Sequence, residues 1–332
     1  SDTIDAEKPK LNKADFLALE PPSPEKRVAR KSVEETKAFL KTVSKRQVRQ
    51  KDEDVSEPNR AADEVVTSQE APLPPPRQFS TEDIQAIYIA YHLLGNAQTL
   101  LTINRHLRHS RLNAVVIDLK NEHGFLSYPS QIPLAASIGA NRRLVLDMAK
   151  LVAAFKQEGI YTIARIVSFK DSLLAKSHPE LAAKQQNSTE IWKDKQGAAW
   201  VDPFQTDVWQ YNIQLAREAA GFGFDEVQYD SLRFPTYDLE GQPKFSNDLS
   251  AETRTSAISG FLSMTKGSLA QAKIKLAMTT LSYTAWRNDD TLVGQKLERL
   301  APYLDVIAPI LFPSSFTSGI PNYPNPIETP QM

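Results

Sequence analysis

The sequence predicts an α/β fold in which parallel strands close into a barrel and helices wrap its outside. Three observations predict it. From Ala86 onward, short apolar runs alternate with helical stretches, the pattern of parallel strands joined by crossover helices. Polar residues gather at the C-terminal ends of those runs: His92, Asp118, Lys120, Arg165, Lys170, Asp171, Asp230 and Arg233. The glycine-rich phosphate loop that opens a doubly wound sheet is missing, because the first run leads into Leu94-Gly95-Asn96-Ala97 with a single Gly. Charge converging on one rim is the mark of the (β/α)8, or TIM, barrel, whose sites lie at that end.

Taken in order, the predicted strands span 87–93, 114–120, 161–169, 226–234, 274–281 and 306–312. Helices are predicted over 97–109, 142–158, 208–222, 251–272 and 292–301. In the second helix Leu144, Met148, Leu151 and Phe155 recur at three-and-four spacing, which gives one apolar face. Gly159 and Gly223 follow helix ends as C-cap residues, each just before the next strand. Six strands are two short of a closed barrel, so the domain reads as truncated after about six strands and the chain as a fragment of a longer protein. A fully cooperative, soluble melt would argue against that truncation.

The 332 residues are expected to hold one large domain, 81–332, behind a tail, 1–80. The tail is rich in Lys, Glu, Asp, Pro and Ser with few aromatics, so it buries too little apolar surface to offset its chain entropy and is expected to be disordered. Within it, 32–51 has a capping Ser32 and a thin apolar stripe that favour a transient helix, and 71–76 is a stiff proline spacer. A spacer of this kind, in a chain that starts without Met, points to an extracytoplasmic or cell-envelope setting. Net charge is −1, and the domain has no basic stripe with interleaved aromatics, which argues against a nucleic-acid partner. No apolar run approaches the ~20 residues of a membrane-spanning helix. There are no cysteines, so disulfides and thiol nucleophiles are excluded. The five histidines are scattered with no metal-binding spacing, and no metal or other cofactor is expected.

The richest stretch runs from Phe224 to Pro235. With a side-chain period of two, Glu226, Gln228 and Asp230 share the inner face while Val227 and Tyr229 share the outer one. Asp230 lies nearest the strand's C-terminal end and is the first catalytic candidate. The structural alternative is an ion pair between Asp230 and Arg233 that closes the strand.

Several motifs carry a family resemblance. They are Val116-Ile117-Asp118-Leu119-Lys120, Ala164-Arg165-Ile166-Val167 with Phe169-Lys170-Asp171, Trp200-Val201-Asp202-Pro203, and the 224–235 segment. Together they make the stretch 87–313 similar to a widespread bacterial domain family of TIM-barrel fold assigned to the glycoside hydrolases. The resemblance implies action on, or binding to, a carbohydrate polymer. It supplies no established catalytic pair, because activity in that family rests largely on its fold relatives. After Lys120 the family usually has acidic residues and a Gly, where this chain reads Asn121-Glu122-His123-Gly124.

Glycoside hydrolysis uses two carboxyl groups, one to protonate the leaving oxygen and one to attack or to activate water. Asp230 and Asp118 are the expected pair, since both end even-numbered strands and alternate strands share layers inside a barrel. Their backbones are expected about 8–10 Å apart, which leans towards an inverting course. Asp118 reads equally well as an anchor for Arg165 or Lys120. Arg165 is expected to hold an acid ionised or to bind a substrate hydroxyl or carboxylate, and reads equally well as a pure salt-bridge residue. Glu122, Asp171 and Asp202 are reserve acids on loops over the rim. The longest connection, 170–207, carries Trp192, Trp200 and Phe204, and Tyr283 with Trp286 follows the fifth strand. Aromatic rings at a barrel mouth offer faces on which sugars stack, and the alternative for Trp200 is that it packs the loop back onto the barrel. Lys120, Gln228 and Arg233 complete the expected substrate contacts. The rival reading is a catalytically inactive carbohydrate-binding barrel that organises an envelope polymer, because Met278-Thr279-Thr280-Leu281 offers no carboxylate where many related barrels place one.

Overall fold

The computed structural model describes residues 83–237, 241–316, 319–320 and 323–328. The expected disordered tail, its transient helix at 32–51 and its proline spacer lie outside the described residues.

Six strands form one parallel sheet in sequential order: β1 (Ala86–Ile89), β2 (Ala114–Lys120), β3 (Tyr161–Val167), β4 (Glu226–Asp230), β5 (Lys275–Thr280) and β6 (Val306–Pro309). This is the six-stranded curl of a TIM-type α/β barrel. The connecting helices are α1 (Ala97–His109), α2 (Pro133–Ser137), α3 (Met148–Gln157), α4 (Ser172–Ser177), α5 (Thr206–Phe222), α6 (Ala251–Leu269) and α7 (Leu297–Leu300). Asn96, Asp147 and Ser250 cap α1, α3 and α6 by accepting from the backbone N–H of Thr99, Lys150 and Thr253. Gly223 ends α5 at φ +89°, a left-handed conformation that costs a glycine little.

The alternation expected from sequence sorts the sheet into two faces. Ile117, Ala164, Ile166, Val227, Tyr229 and Met278 are fully buried. The helices that cover this outer face contribute Leu100 and Ile103 from α1, Leu151 and Phe155 from α3, Leu215 from α5 and Phe261 from α6. Burying these side chains contributes about 1.5–3 kcal/mol each, which makes the sheet–helix layer the main stabiliser. Phe261 anchors it, meeting the rings of Phe169, Tyr229 and Trp209 edge-on. The inner face carries Tyr88, Val116, Arg165, Gln228 and Thr279, all at least partly exposed.

The deviations from expectation lie at element ends. The first strand stops at Ile89, and 91–93 turn instead into a 3-10 helix whose amide at Tyr91 bonds back to Asp118. The second helix starts at Met148 rather than 142, because 141–145 first pair with the loop after β2: the Arg142 and Val145 amides donate to the Leu126 and Ser127 carbonyls. The last predicted helix shrinks to α7, since the Asp290 carboxylate takes the preceding chain out of helical geometry by accepting from the Leu292 and Gly294 amides. No helix among the described residues is long and apolar enough to cross a membrane.

Candidate active site

Five strands contribute one side chain each to a continuous hydrogen-bonded row across the C-terminal half of the inner face. At its centre, Arg165 on β3 donates from one terminal nitrogen to Asp118 Oδ1 on β2 at 2.6 Å. Its Nε and other terminal nitrogen donate to Asp230 Oδ2 on β4 at 2.8 and 2.5 Å. On one flank Tyr88 of β1 donates its hydroxyl to Asp118 Oδ2 at 2.5 Å, and on the other Thr279 of β5 donates to Asp230 Oδ1 at 3.0 Å. The Ser231 amide also donates to Asp230 Oδ1, at 2.5 Å. Ser231 has φ +49°, which turns the chain sharply at the end of β4 and aims its amide back at the acid.

The strand register explains the convergence. Asp118 pairs directly with Arg165, and Asp230 pairs with Val167, so Arg165 reaches one pleat along β3 to meet it. One planar guanidinium spanning both acids places their nearest oxygens within about 7 Å of each other. The alternative partner for Asp230 read from sequence, Arg233, makes no ion pair with it. Arg233 stacks instead on the Trp200 ring at 4.9 Å and donates to the Phe234 carbonyl, and burial pulls its guanidinium down to about 10.

The two acids are driven in opposite directions. Burial raises Asp118, and Arg165, Tyr88 and the Tyr91 amide offset this only in part. Burial acts on Asp230 too, but the Arg165 charge and hydrogen bonds, Thr279 and the Ser231 amide together outweigh it and hold that carboxyl below the ordinary range. Two neighbouring carboxyls pushed in opposite directions in this way can divide acid and base roles.

The remaining expected site residues fall into two groups. Gln228 faces inward beside Arg165 in register. Glu122 is exposed on the loop after β2, near enough for its charge to bear on Tyr88. Tyr283 and Trp286 both pack edge-on against Phe316, and Trp286 is 47% exposed, so an aromatic surface does lie beyond β5.

Four expectations are corrected. Lys120 does not face the mouth: the register slips between Asp118 and Lys120, and this bulge turns the lysine outward under α5. There it is fully buried, paired with Asp171 at 2.7 Å and donating to Asn212 Oδ1 at 3.0 Å and the Ser168 carbonyl at 3.2 Å. Asp171 is consumed by that pair and by capping α4. Gly124 closes over it at φ +93°, where any Cβ would lie 2.0 Å from Asp171 Oδ1. Trp200 is 2% exposed and donates to Asp194 Oδ2, packing its loop down rather than presenting a ring. Asp202 is equally buried and staples two loops by accepting from the Phe204 and Ser246 amides.

Tyr88 and Thr279 were missed. The signal for Tyr88 was its inward phase on β1 between two apolar neighbours, and Thr279 was passed over for want of a charge. Among the described residues no group of three or more His, Cys, Asp or Glu is placed to hold a metal ion.

No curated protein matches the chain. In fold it is similar to a crystal structure of a hypothetical protein from Ruminiclostridium thermocellum ATCC 27405, at 30% identity and a TM-score of 0.50, over 58% of this chain and 96% of that one. It is also similar to an alpha-galactosidase from Thermus thermophilus, at 15% identity and a TM-score of 0.40, over 61% of this chain and 39% of that one. A maltogenic alpha-amylase from Thermotoga neapolitana gives 13% identity and a TM-score of 0.42, over 69% of this chain and 50% of that one. The chain thus spans half the length of these two enzymes or less. Residues 86–332 match the model of the family described as "Putative glycosyl hydrolase domain", and the chain belongs to that family.

Proposed function

We propose that this chain is a glycoside hydrolase acting on a polysaccharide, with Asp230 as base or nucleophile and the Asp118 carboxyl as the source of the proton. One observation carries the reading: two carboxyls at the ends of alternate strands meet on one arginine, with surroundings that hold Asp230 below the ordinary carboxylate range and push Asp118 above it. Family membership supports the reaction class, and the exposed ring of Trp286 beyond β5 supports a substrate long enough to reach it. The binding-only alternative draws on a specific observation too, since Arg165 bonds both acids and Asp118 is almost fully covered.

Asp230→Asn separates the two. For a hydrolase, release of reducing sugar from the polymer falls by at least ~100-fold while binding of the polymer persists. Unchanged sugar release removes Asp230 from the mechanism, and a wild type that binds polymer without releasing sugar favours the alternative.

A further inference from the structure

Arg233 carries a charge that the described residues leave unanswered at the rim of the sheet. It follows Asp230 by three residues, just past the end of β4, and is partly exposed. Its guanidinium lies 4.9 Å from the centre of the Trp200 ring and donates to the Phe234 carbonyl at 3.0 Å. Among the described residues it forms no ion pair, although the charges of Asp230 and Asp194 both bear on it. Neither acid has an oxygen left for it. Asp194 Oδ1 accepts from the Gln196 and Ala198 amides at 3.0 and 2.9 Å, while its Oδ2 accepts from Trp200 Nε1 at 3.0 Å and pairs with Lys170 at 3.1 Å. Asp230 is filled in the same way by two Arg165 nitrogens, Thr279 and the Ser231 amide. A carboxylate offers about four lone-pair sites, and in both acids they are taken.

We propose that Arg233 binds the carboxylate of an acidic sugar unit, so that the polymer taken by this site is a polyuronate rather than a neutral glycan; the proposal rests on the reading of a polysaccharide substrate above. A guanidinium presents its N–H groups as a flat fork that matches a carboxylate through two parallel bonds. The bond to Phe234 engages one terminal nitrogen, which leaves the edge formed by Nε and the other terminal nitrogen whole. The Trp200 ring supports the cation without consuming an N–H. Trp200 is itself fixed by its bond to Asp194, so the guanidinium rests on a rigid base.

The surroundings favour an anion over a neutral ligand. Burial pulls the Arg233 guanidinium down to about 10, and the charges of Asp230 and Asp194 offset only part of that pull. An incoming carboxylate supplies the missing counter-charge together with two acceptors, whereas a sugar hydroxyl supplies an acceptor alone. The other acids at the rim do not repel it strongly, because Asp118 and Asp230 are both paired with Arg165 and Asp194 with Lys170.

Isothermal titration calorimetry on polygalacturonate, polymannuronate and polyglucuronate, each beside the same polymer with its carboxyls reduced to alcohols, tests this. For at least one pair the wild type should bind the acidic form ~10-fold or more tightly than the reduced one. Arg233→Gln should bring that ratio to within about twofold of unity. Equal affinity for both forms of every pair, binding to none of these polymers, or a ratio that Arg233→Gln leaves unchanged overturns the subsite while leaving the hydrolase reading in place. A preference for the acidic form that Arg233→Gln removes, in a wild type that releases no reducing sugar, upholds the subsite and overturns the hydrolase reading, so the two fail separately. Should Arg233→Gln not fold, Arg233→Lys keeps the charge and loses the fork. The ratio should then fall by about threefold or more, and an unchanged ratio overturns the subsite.

Discussion

Replacing Glu226 with glutamine should stabilise the protein at neutral and alkaline pH and do almost nothing in acid. Glu226 sits at the opposite end of β4 from Asp230 and is buried. Burial, with the negative charges of Asp305 and Asp225, raises its carboxyl from 4.5 to about 7, although the Tyr161 hydroxyl and Lys275 pull the other way. Between those two values the folded chain holds a proton that the unfolded chain has released, so stability falls as pH rises. The contribution is complete below about 4.5 and gone above about 7. At 1.36 kcal/mol per unit the loss across the window is about 3 kcal/mol. The Glu226→Gln side chain would carry no charge at any pH, and its amide oxygen can still accept from Tyr161, whose hydroxyl lies 3.2 Å from the Glu226 carboxyl. Urea unfolding at pH 5 and pH 8 tests this. The variant should match wild type within about 1 kcal/mol at pH 5 and exceed it by about 3 kcal/mol at pH 8, or ~6–12 °C in Tm for a domain of this size. The same gain at both pH values, or a loss at pH 8, would refute the reasoning.

Two further perturbations probe the charges behind and within the row. Lys120→Met leaves the Asp171 carboxylate buried without its cation and should destabilise by about 3–5 kcal/mol in denaturant melts, most of it recovered when Asp171→Asn is added. Arg165→Met removes the positive charge that holds Asp230 low, so the Asp230 carboxyl should rise by ~1–3 units. Carboxyl ¹³C NMR titration reads that shift directly, and the acid limb of the pH–rate profile should move to higher pH with it.

Strand phase carried most of what was legible in the sequence. Asp118, Arg165 and Asp230 fall on inner positions by simple alternation, and the sheet keeps that alternation up to Asp118. It fails at the next inner position, because the bulge after Asp118 flips Lys120 to the helix side, and a one-residue irregularity leaves no trace in a run as regular as Val116-Ile117-Asp118-Leu119-Lys120. The 170–207 connection departs from expectation for a different reason. It folds upon itself through antiparallel bridges such as Ala182 with Val201 and Lys193 with Ala199, so Trp200 and Asp202 become its private core. Tyr88 was hidden because its role depends on reaching Asp118 on the neighbouring strand, a contact 30 residues away in sequence.

The row that joins Tyr88, Asp118, Arg165, Asp230 and Thr279 also bears on how the sheet assembles. A slip of one residue in any of those strands would swing its polar member into the layer that Ile117, Ala164, Ile166 and Tyr229 fill. For the arginine or either aspartate, such a misplacement strands a charge in an apolar layer at a cost of several kcal/mol. Mispaired sheets are therefore penalised at the strands that carry the charges. The candidate site doubles as an alignment mark for folding, and variants that neutralise it should be examined for mispaired species as well as for lost chemistry.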